Sequence, residues 1–197
     1  MALVNHLVVF ARQPRLGAVK TRLGSEIGIV PAGIFYRRAL GLVLGRLGRD
    51  SRWRPWLAVT PDRGVDGPWP LQWTVFPQGP GGLGRRMARA LATLPPGPVA
   101  IVGADVPDIR PAHVARAFRA LGAHPAVFGP AADGGYWLVG LRRRPPIPGL
   151  FEGVRWSTRH ALADTLANLD RPPALIDTLD DVDDRASWER WRARAKG

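Results

Sequence analysis

Val99-Ala100-Ile101-Val102-Gly103-Ala104-Asp105 decides the fold: five residues without a polar side chain run into a small residue and then a carboxylate. A continuous apolar run of that length is the pattern of a strand covered on both faces, as central parallel strands are. Leu7-Val8-Val9-Phe10 is a second such run. Trp56 to Thr60, Leu71 to Phe76 and Ala126 to Phe128 are weaker strand patterns, Tyr136 to Leu141 is a stronger one, and Ala174 to Ile176 adds a last. Between them, Pro31 to Leu47, Leu83 to Leu94, Pro111 to Leu121 and Ser157 to Leu169 space their apolar residues as helices do. Strands alternating with helices predict a wound α/β sheet, mostly parallel, rather than a bundle or β-sandwich. The proline-rich stretches Pro61 to Pro70 and Arg142 to Pro148 read as loops. With no repeat and no flexible linker, 197 residues suit one domain over 1–197.

Composition narrows the chemistry. Hydrophobic residues make up 46% and charged residues 22%, the balance of a globular chain. No apolar run approaches the roughly 18 residues of a membrane span, and Met1 to His6 lacks a basic region before an apolar stretch, so a soluble, cytoplasmic protein is expected. There are no cysteines, and the four histidines lie too far apart to form a local ligand pair. A metal here would be held by oxygens, which points to Mg²⁺ or Mn²⁺. The net charge of +12 predicts attraction to polyanions without choosing among phosphorylated small molecules, nucleic acid and anionic membranes. Only Lys20 and Lys196 are lysines among 28 cations. A lysine kept in an arginine-biased chain suggests a site needing a compact ammonium, codon bias being the alternative.

In open parallel sheets ligands bind beyond the carboxyl ends of strands. After the first strand, Phe10 to Leu23 carries Gly17, where backbone approaches a ligand closely, and the cations Arg12, Arg15, Lys20 and Arg22. This is the composition of a phosphate cradle, or of a solvated basic loop. It is not a Walker loop, since only Gly17-Ala18-Val19-Lys20-Thr21 of that motif is present. At an effective dielectric near 20, a unit charge about 4 Å from a phosphate contributes about 4 kcal/mol before desolvation, so Lys20 and Arg22 could dominate binding. After the strand at Val99, Asp105 is placed to hold a metal or to form a turn, and Asp108 reads as an N-cap for the helix near Pro111. Gly129 to Trp137 contains Asp133-Gly134-Gly135-Tyr136, either a close approach to a ligand or a tight turn between strands. Late in the chain, Asp180-Asp181-Val182-Asp183-Asp184 gathers carboxylates that a cation would relieve, although an acidic cap for a helix near Ala186 explains them equally.

Taken together, Phe10-Ala11-Arg12-x-Pro14-x-x-Gly17-x-x-Lys20-Thr21-Arg22-Leu23, Gln78-Gly79 through Leu83-Gly84-x-Arg86-Met87, Gly103-x-Asp105-x-Pro107, Gly129-Pro130-Ala131-x-Asp133-Gly134-Gly135-Tyr136, Trp156-Ser157-Thr158 and Asp181-Val182-Asp183 resemble the DUF2064 family. Its members are described as bacterial glycosyltransferase A-type proteins, some associated with arsenosugar biosynthesis. The resemblance implies a Rossmann-like three-layer α/β/α sandwich, the nucleotide-diphospho-sugar transferase fold. It also implies a strand-end aspartate, here Asp105, that ligates Mg²⁺ or Mn²⁺ on a diphosphate; Asp181 and Asp183 of the late acidic cluster offer the other side of such an oxygen-only site. Ala11, Arg12, Gly17, Lys20, Thr21, Arg22, Gln78, Gly79, Gly84 and Arg86 fall at nucleotide and phosphate positions, and Asp133, Gly134, Gly135, Tyr136 and Trp156 on the acceptor side. The first loop is also similar to that of 2-phospho-L-lactate guanylyltransferase. One departure stands out: Gly82 occupies the place where the family usually has Asp, which removes a carboxylate from base or ribose recognition.

Three functions follow as expectations. The first is metal-dependent glycosyl transfer from a nucleotide-sugar to a small-molecule acceptor, with Asp105 and Asp133 as catalytic residues. The second is nucleotidyl transfer from a triphosphate to a phosphorylated small molecule, releasing pyrophosphate. The third and least favoured is nucleic-acid binding through Arg185 to Lys196, where Trp188 and Trp191 interleave with arginines but lie three apart, as a packing face places them.

Overall fold

The computed structural model describes residues 3–144 and 146–194. Seven strands, β1 (His6–Arg12), β2 (Arg54–Thr60), β3 (Thr74–Pro77), β4 (Val99–Gly103), β5 (Ala126–Pro130), β6 (Tyr136–Leu141) and β7 (Ala174–Leu175), form one sheet in the order β3-β2-β1-β4-β6-β5-β7. Helices α1 (Thr21–Ile27), α2 (Ile29–Leu47), α3 (Leu83–Thr93), α4 (Pro111–Ala120), α5 (Ala161–Ala167) and α6 (Arg185–Arg194) complete the chain.

The two apolar runs are the centre of the sheet: β1 pairs in parallel with β2 and with β4, so all the residues of β4 except Gly103 are buried. Alternation along β1 divides the core in two. Leu7 and Val9 face a layer built with Tyr36, Leu40 and Val43 of α2 and Val114 of α4, whereas Val8 faces Met87, Ala90 and Leu91 of α3. This is the expected three-layer α/β/α arrangement, each fully buried Leu or Val contributing about 1.5–3 kcal/mol. A third cluster joins Leu23, Phe35 and Trp191.

β6 runs antiparallel to both neighbours. The cause is local: five residues, 131–135, connect it to β5, a length that suits a hairpin and not a crossover. α1 was not legible in the apolar spacing, since only Leu23 and Gly24 of its seven residues are buried. The helix expected from Ser157 begins at Ala161, and β3 is shorter than the run from Leu71. The N-cap of α4 is Arg110, whose backbone N–H donates to His113 Nδ1 at 3.2 Å. Asp108, read as the cap, instead pairs with Arg194 at 3.0 Å. Among the described residues no helix is long and apolar enough to cross a membrane.

His6, at the start of β1, is buried, and its Nδ1 accepts a hydrogen bond from Trp56 Nε1 at 3.1 Å. Burial foremost, with Arg143 and Arg54 nearby, holds its pKa below 6.5, against a contact to the Pro96 carbonyl. The folded state therefore favours neutral imidazole, a contribution fully present above pH 6.5 and lost as pH falls through the folded pKa. Stability measured by urea titration should fall on acidification below that point by up to about 1.4 kcal/mol per pH unit from this group, and His6→Gln should flatten that limb.

Candidate active site

The loop from Arg12 to Lys20 leaves the carboxyl end of β1 and is anchored at its root. Tyr36, in the core face of α2, accepts from the Arg12 N–H at 2.8 Å and donates to the Arg12 carbonyl at 3.0 Å. Burial pushes the Tyr36 phenol well above its ordinary value, so it remains a neutral clamp. Gly17 and Lys20 both adopt positive φ, +75° and +47°. A non-glycine residue in that region costs about 1–2 kcal/mol, and at Lys20 the conformation accompanies the burial of its side chain, which is 4% exposed.

Lys20 Nζ lies 3.1 Å from Asp105 Oδ2 and 3.4 Å from Asp183 Oδ1. The residue expected at the phosphates thus joins two of the three expected metal ligands, and its ammonium stands where these two carboxylates converge. Burial would lower the Lys20 pKa, but Asp105 and Asp183 together raise it. In turn the charge of Lys20 holds Asp105 below the usual carboxylate range despite desolvation.

The acidic segment reaches this edge by steps along β5. Ile176 N–H donates to the Phe128 carbonyl at 2.9 Å, Leu179 to Pro130 at 3.1 Å, and Val182 to Asp105 at 3.3 Å. Its carboxylates then divide the work, and the helix-cap reading holds for Asp184. Asp184 Oδ1 accepts from the Ser187 N–H at 2.8 Å and caps α6, and Asp180 pairs with Arg194 at 3.5 Å. Asp183 faces Lys20, while Arg22 spans Asp183 and Asp184 at 3.9 and 3.7 Å from an exposed position. Asp181 is raised to about 6 by burial first and by the Asp105 charge second. Among the described residues no three His, Cys, Asp or Glu side chains converge as a metal-binding group, and of Asp105, Asp181 and Asp183 only Asp105 and Asp183 meet at the Lys20 ammonium.

The Gln78–Arg86 loop is bound to the same edge. Gln78 Nε2 donates to the carbonyls of Ala11 and Ala58 at 3.2 and 2.9 Å, tying β1 to β2. Arg86 donates to the Gly81 carbonyl at 2.7 Å and to Gln78 Oε1 at 3.2 Å, and Arg89 holds the carbonyls of Gln78 and Pro80. Gly79, at φ +76°, donates its N–H to Asp62 Oδ1 at 3.0 Å. With Gly82 at the head of α3, the first turn of that helix carries no carboxylate. Tyr36, Asp62 and Arg89 are scaffold residues that the sequence did not single out, because their spacing reads only as helix or loop.

On the other side, Asp133 Oδ1 accepts from the Gly135 N–H at 2.8 Å and closes the β5–β6 hairpin, so the tight turn is real. Gly134 has φ +87°, and a Cβ there would stand 2.3 Å from the Arg159 carbonyl oxygen. The Tyr136 hydroxyl lies 3.4 Å from Thr165 Oγ1, inside the second core face, and burial raises its pKa. Trp156 meets Tyr136 edge-on at 6.3 Å and covers Gly84, where a Cβ would stand 3.0 Å from its Cζ2. In α6, Trp191 is buried edge-on against Phe35 at 5.1 Å and Arg192 lies over Trp188, so these aromatic rings pack on α2 and on their own helix. Lys196 lies outside the described residues.

A mostly parallel sheet with a cationic loop and a carboxylate pair at its carboxyl edge is the fold of nucleotide-dependent transferases. The chain matches the family described as uncharacterized protein conserved in bacteria (DUF2064) over residues 43–158, and it belongs to that family. The matched stretch contains Asp105, Gln78 to Arg86, Asp133 to Tyr136 and Trp156. The crystal structure of a candidate nucleotide-diphospho-sugar transferase from Desulfovibrio desulfuricans G20 is 28% identical, with a TM-score of 0.81, covering 91% of this chain and 82% of that one. CMP:2-keto-3-deoxy-manno-octonic acid synthetase complexed with CTP shares the fold at 13% identity, TM-score 0.61 and 98% of each chain. So does the manganese complex of Rv0371c from Mycobacterium tuberculosis H37Rv, at 18% identity, TM-score 0.55 and 96% and 98% of the two chains. Among curated protein sequences there is no match.

Proposed function

We propose that the chain is a single glycosyltransferase domain that moves a sugar from a nucleotide-diphospho-sugar to a small-molecule acceptor with the help of Mg²⁺ or Mn²⁺. The observation that carries this reading is the pair of carboxylates, Asp105 and Asp183, drawn onto one ammonium beside an arginine-bearing loop. Two carboxylates are what such ions commonly take from a protein, with substrate phosphates and water filling the remaining positions. The donor set fits, and an ion held by Asp105 and Asp183 would stabilise the charge of the departing diphosphate.

The chain's own residues do the rest. Arg12, Lys20 and Arg22, with the backbone of Ala11, Gly17 and Thr21, receive the diphosphate. Gln78, Gly79, Gly84 and Arg86 shape the nucleotide side through the scaffold already described. Asp133, held by one oxygen, keeps the other for an acceptor hydroxyl and acts as its base. Gly134, Gly135, Tyr136 and Trp156 form the wall behind it. The protein from D. desulfuricans G20 supports the donor class, and the manganese complex of Rv0371c supports the ion.

Four cations between Arg12 and Arg22 favour a second reading, in which the loop holds a triphosphate and a phosphorylated small molecule attacks its α-phosphorus. Incubation with a nucleotide-sugar panel and Mn²⁺ should release nucleoside diphosphate. Pyrophosphate released instead from a triphosphate, in the presence of phospho-acids or sugar phosphates, would replace the first reading by the second.

A further inference from the structure

The loop after β1 and the start of α2 carry four large apolar side chains that the described residues leave open. Leu16, Ile29, Val30 and Ile34 are 55%, 57%, 55% and 61% exposed. They are neighbours. Val30 and Ile34 stand one helical turn apart, a Cβ on Gly33 would stand 2.5 Å from Leu16 Cδ2, and one on Gly17 would stand 3.9 Å from Ile29 Cγ2. Single exposed apolar residues are ordinary, whereas a contiguous group marks a contact surface.

Cations rim this group. Arg15 is exposed next to Leu16, and Arg37, just after Ile34, reaches back to the Pro14 carbonyl at 3.5 Å. Among the described residues neither arginine belongs to an ion pair. The patch therefore couples exposed apolar side chains to uncompensated positive charge, on a chain of net charge +12.

That charge selects the occupant. A second copy meeting about a twofold axis would bring the same arginines face to face, and like charges across an interface oppose association. An anionic bilayer satisfies both halves of the patch: the headgroup boundary takes up the apolar side chains, and acidic headgroups pair with the arginines. We infer that Leu16, Ile29, Val30 and Ile34 dock this protein on the surface of an anionic lipid membrane. The contact is peripheral, and it holds the loop leading to Lys20 at the bilayer. It does not depend on the reaction proposed above.

Co-sedimentation with vesicles tests this directly. The full chain should pellet with phosphatidylglycerol–phosphatidylcholine vesicles, far less with phosphatidylcholine alone, and less as salt rises. The double variant Leu16→Ser/Ile34→Ser should lose at least about tenfold in partitioning, with an unchanged melting temperature because both sites are exposed. Arg37→Glu should weaken binding to the anionic vesicles only. Failure of the wild type to bind overturns the inference, as does full binding by the serine variant, which would reduce the effect to diffuse charge. A dimer in sedimentation velocity that the serine variant abolishes would also overturn it, by assigning the patch to a second copy.

Discussion

Asp105→Asn should abolish the stabilisation that Mn²⁺ and a nucleotide-sugar jointly give the wild-type protein, and should lower turnover by at least about a thousandfold. The substitution keeps the side chain's shape and removes its charge. Lys20 retains Asp183 at 3.4 Å, so the fold should survive the change. The expected loss is large because Asp105 is held in its charged form by Lys20, against the cost of its partial burial, and is presented just beyond the end of a central strand. Asp183→Asn should act in the same direction. Asp181→Asn should do less, since Asp181 makes no contact with the Lys20 ammonium and is raised to about 6. Thermal shift with and without Mn²⁺, on the free and nucleotide-loaded protein, measures all three. A metal-dependent shift that persists in Asp105→Asn would remove Asp105 from the ion's shell.

The elements that were legible in the sequence are those whose pattern is set by burial on both sides. β1 and β4 could be read from their apolar runs, and α2 from spacing that buries Tyr36, Leu40, Val43, Leu44 and Leu47. Strand direction is a different matter, because alternation and hydrophobicity are the same whichever way a strand runs. β6 could be read as a strand but its direction could not, and the tight turn that is one reading of Gly129 to Trp137 sets it antiparallel to its neighbours. α1 escaped because it buries too little to print a period.

The site divides in a similar way. Its parts follow strand ends, which is a rule of open sheets, so Asp105 and the first loop could be found. Their pairing could not: Lys20 and Asp183 are 163 positions apart, and no local spacing encodes a contact of that range. The acidic cluster shows the same limit. Five neighbouring residues read as one feature, yet Asp184 caps a helix, Asp180 joins Arg194, and only Asp183 reaches Lys20. Tyr36 and Arg89 were hidden for the opposite reason, since each lies in a regular helical pattern that explains its position without its hydrogen bonds.

Lys20→Met should lower stability by about 2 kcal/mol in metal-free buffer, and Mn²⁺ should restore most of that loss without any nucleotide. Breaking a fully buried ion pair costs about 3–5 kcal/mol and a surface pair about 0–1, and this one lies between. Its ammonium is 4% exposed, but its carboxylate partners are 42% and 45% exposed. Methionine keeps an unbranched stem in the pocket and adds no new conflict with the backbone at φ +47°. What remains is Asp105 and Asp183, with Asp181 nearby, and no internal cation to neutralise them. A divalent ion then competes only with the exposed Arg22 at 3.9 Å from Asp183, so the free variant should respond to Mn²⁺ more strongly than the wild type, in which Lys20 already fills the gap. Turnover should nevertheless fall by about a hundredfold, because the proposed function also gives the ammonium a phosphate to bind. The two effects have opposite signs, which separates them from a general loss of structure. If wild type and variant respond equally to Mn²⁺, the ammonium and the ion do not share a place, and the Asp105–Asp183 pair is a structural clasp for the acidic segment.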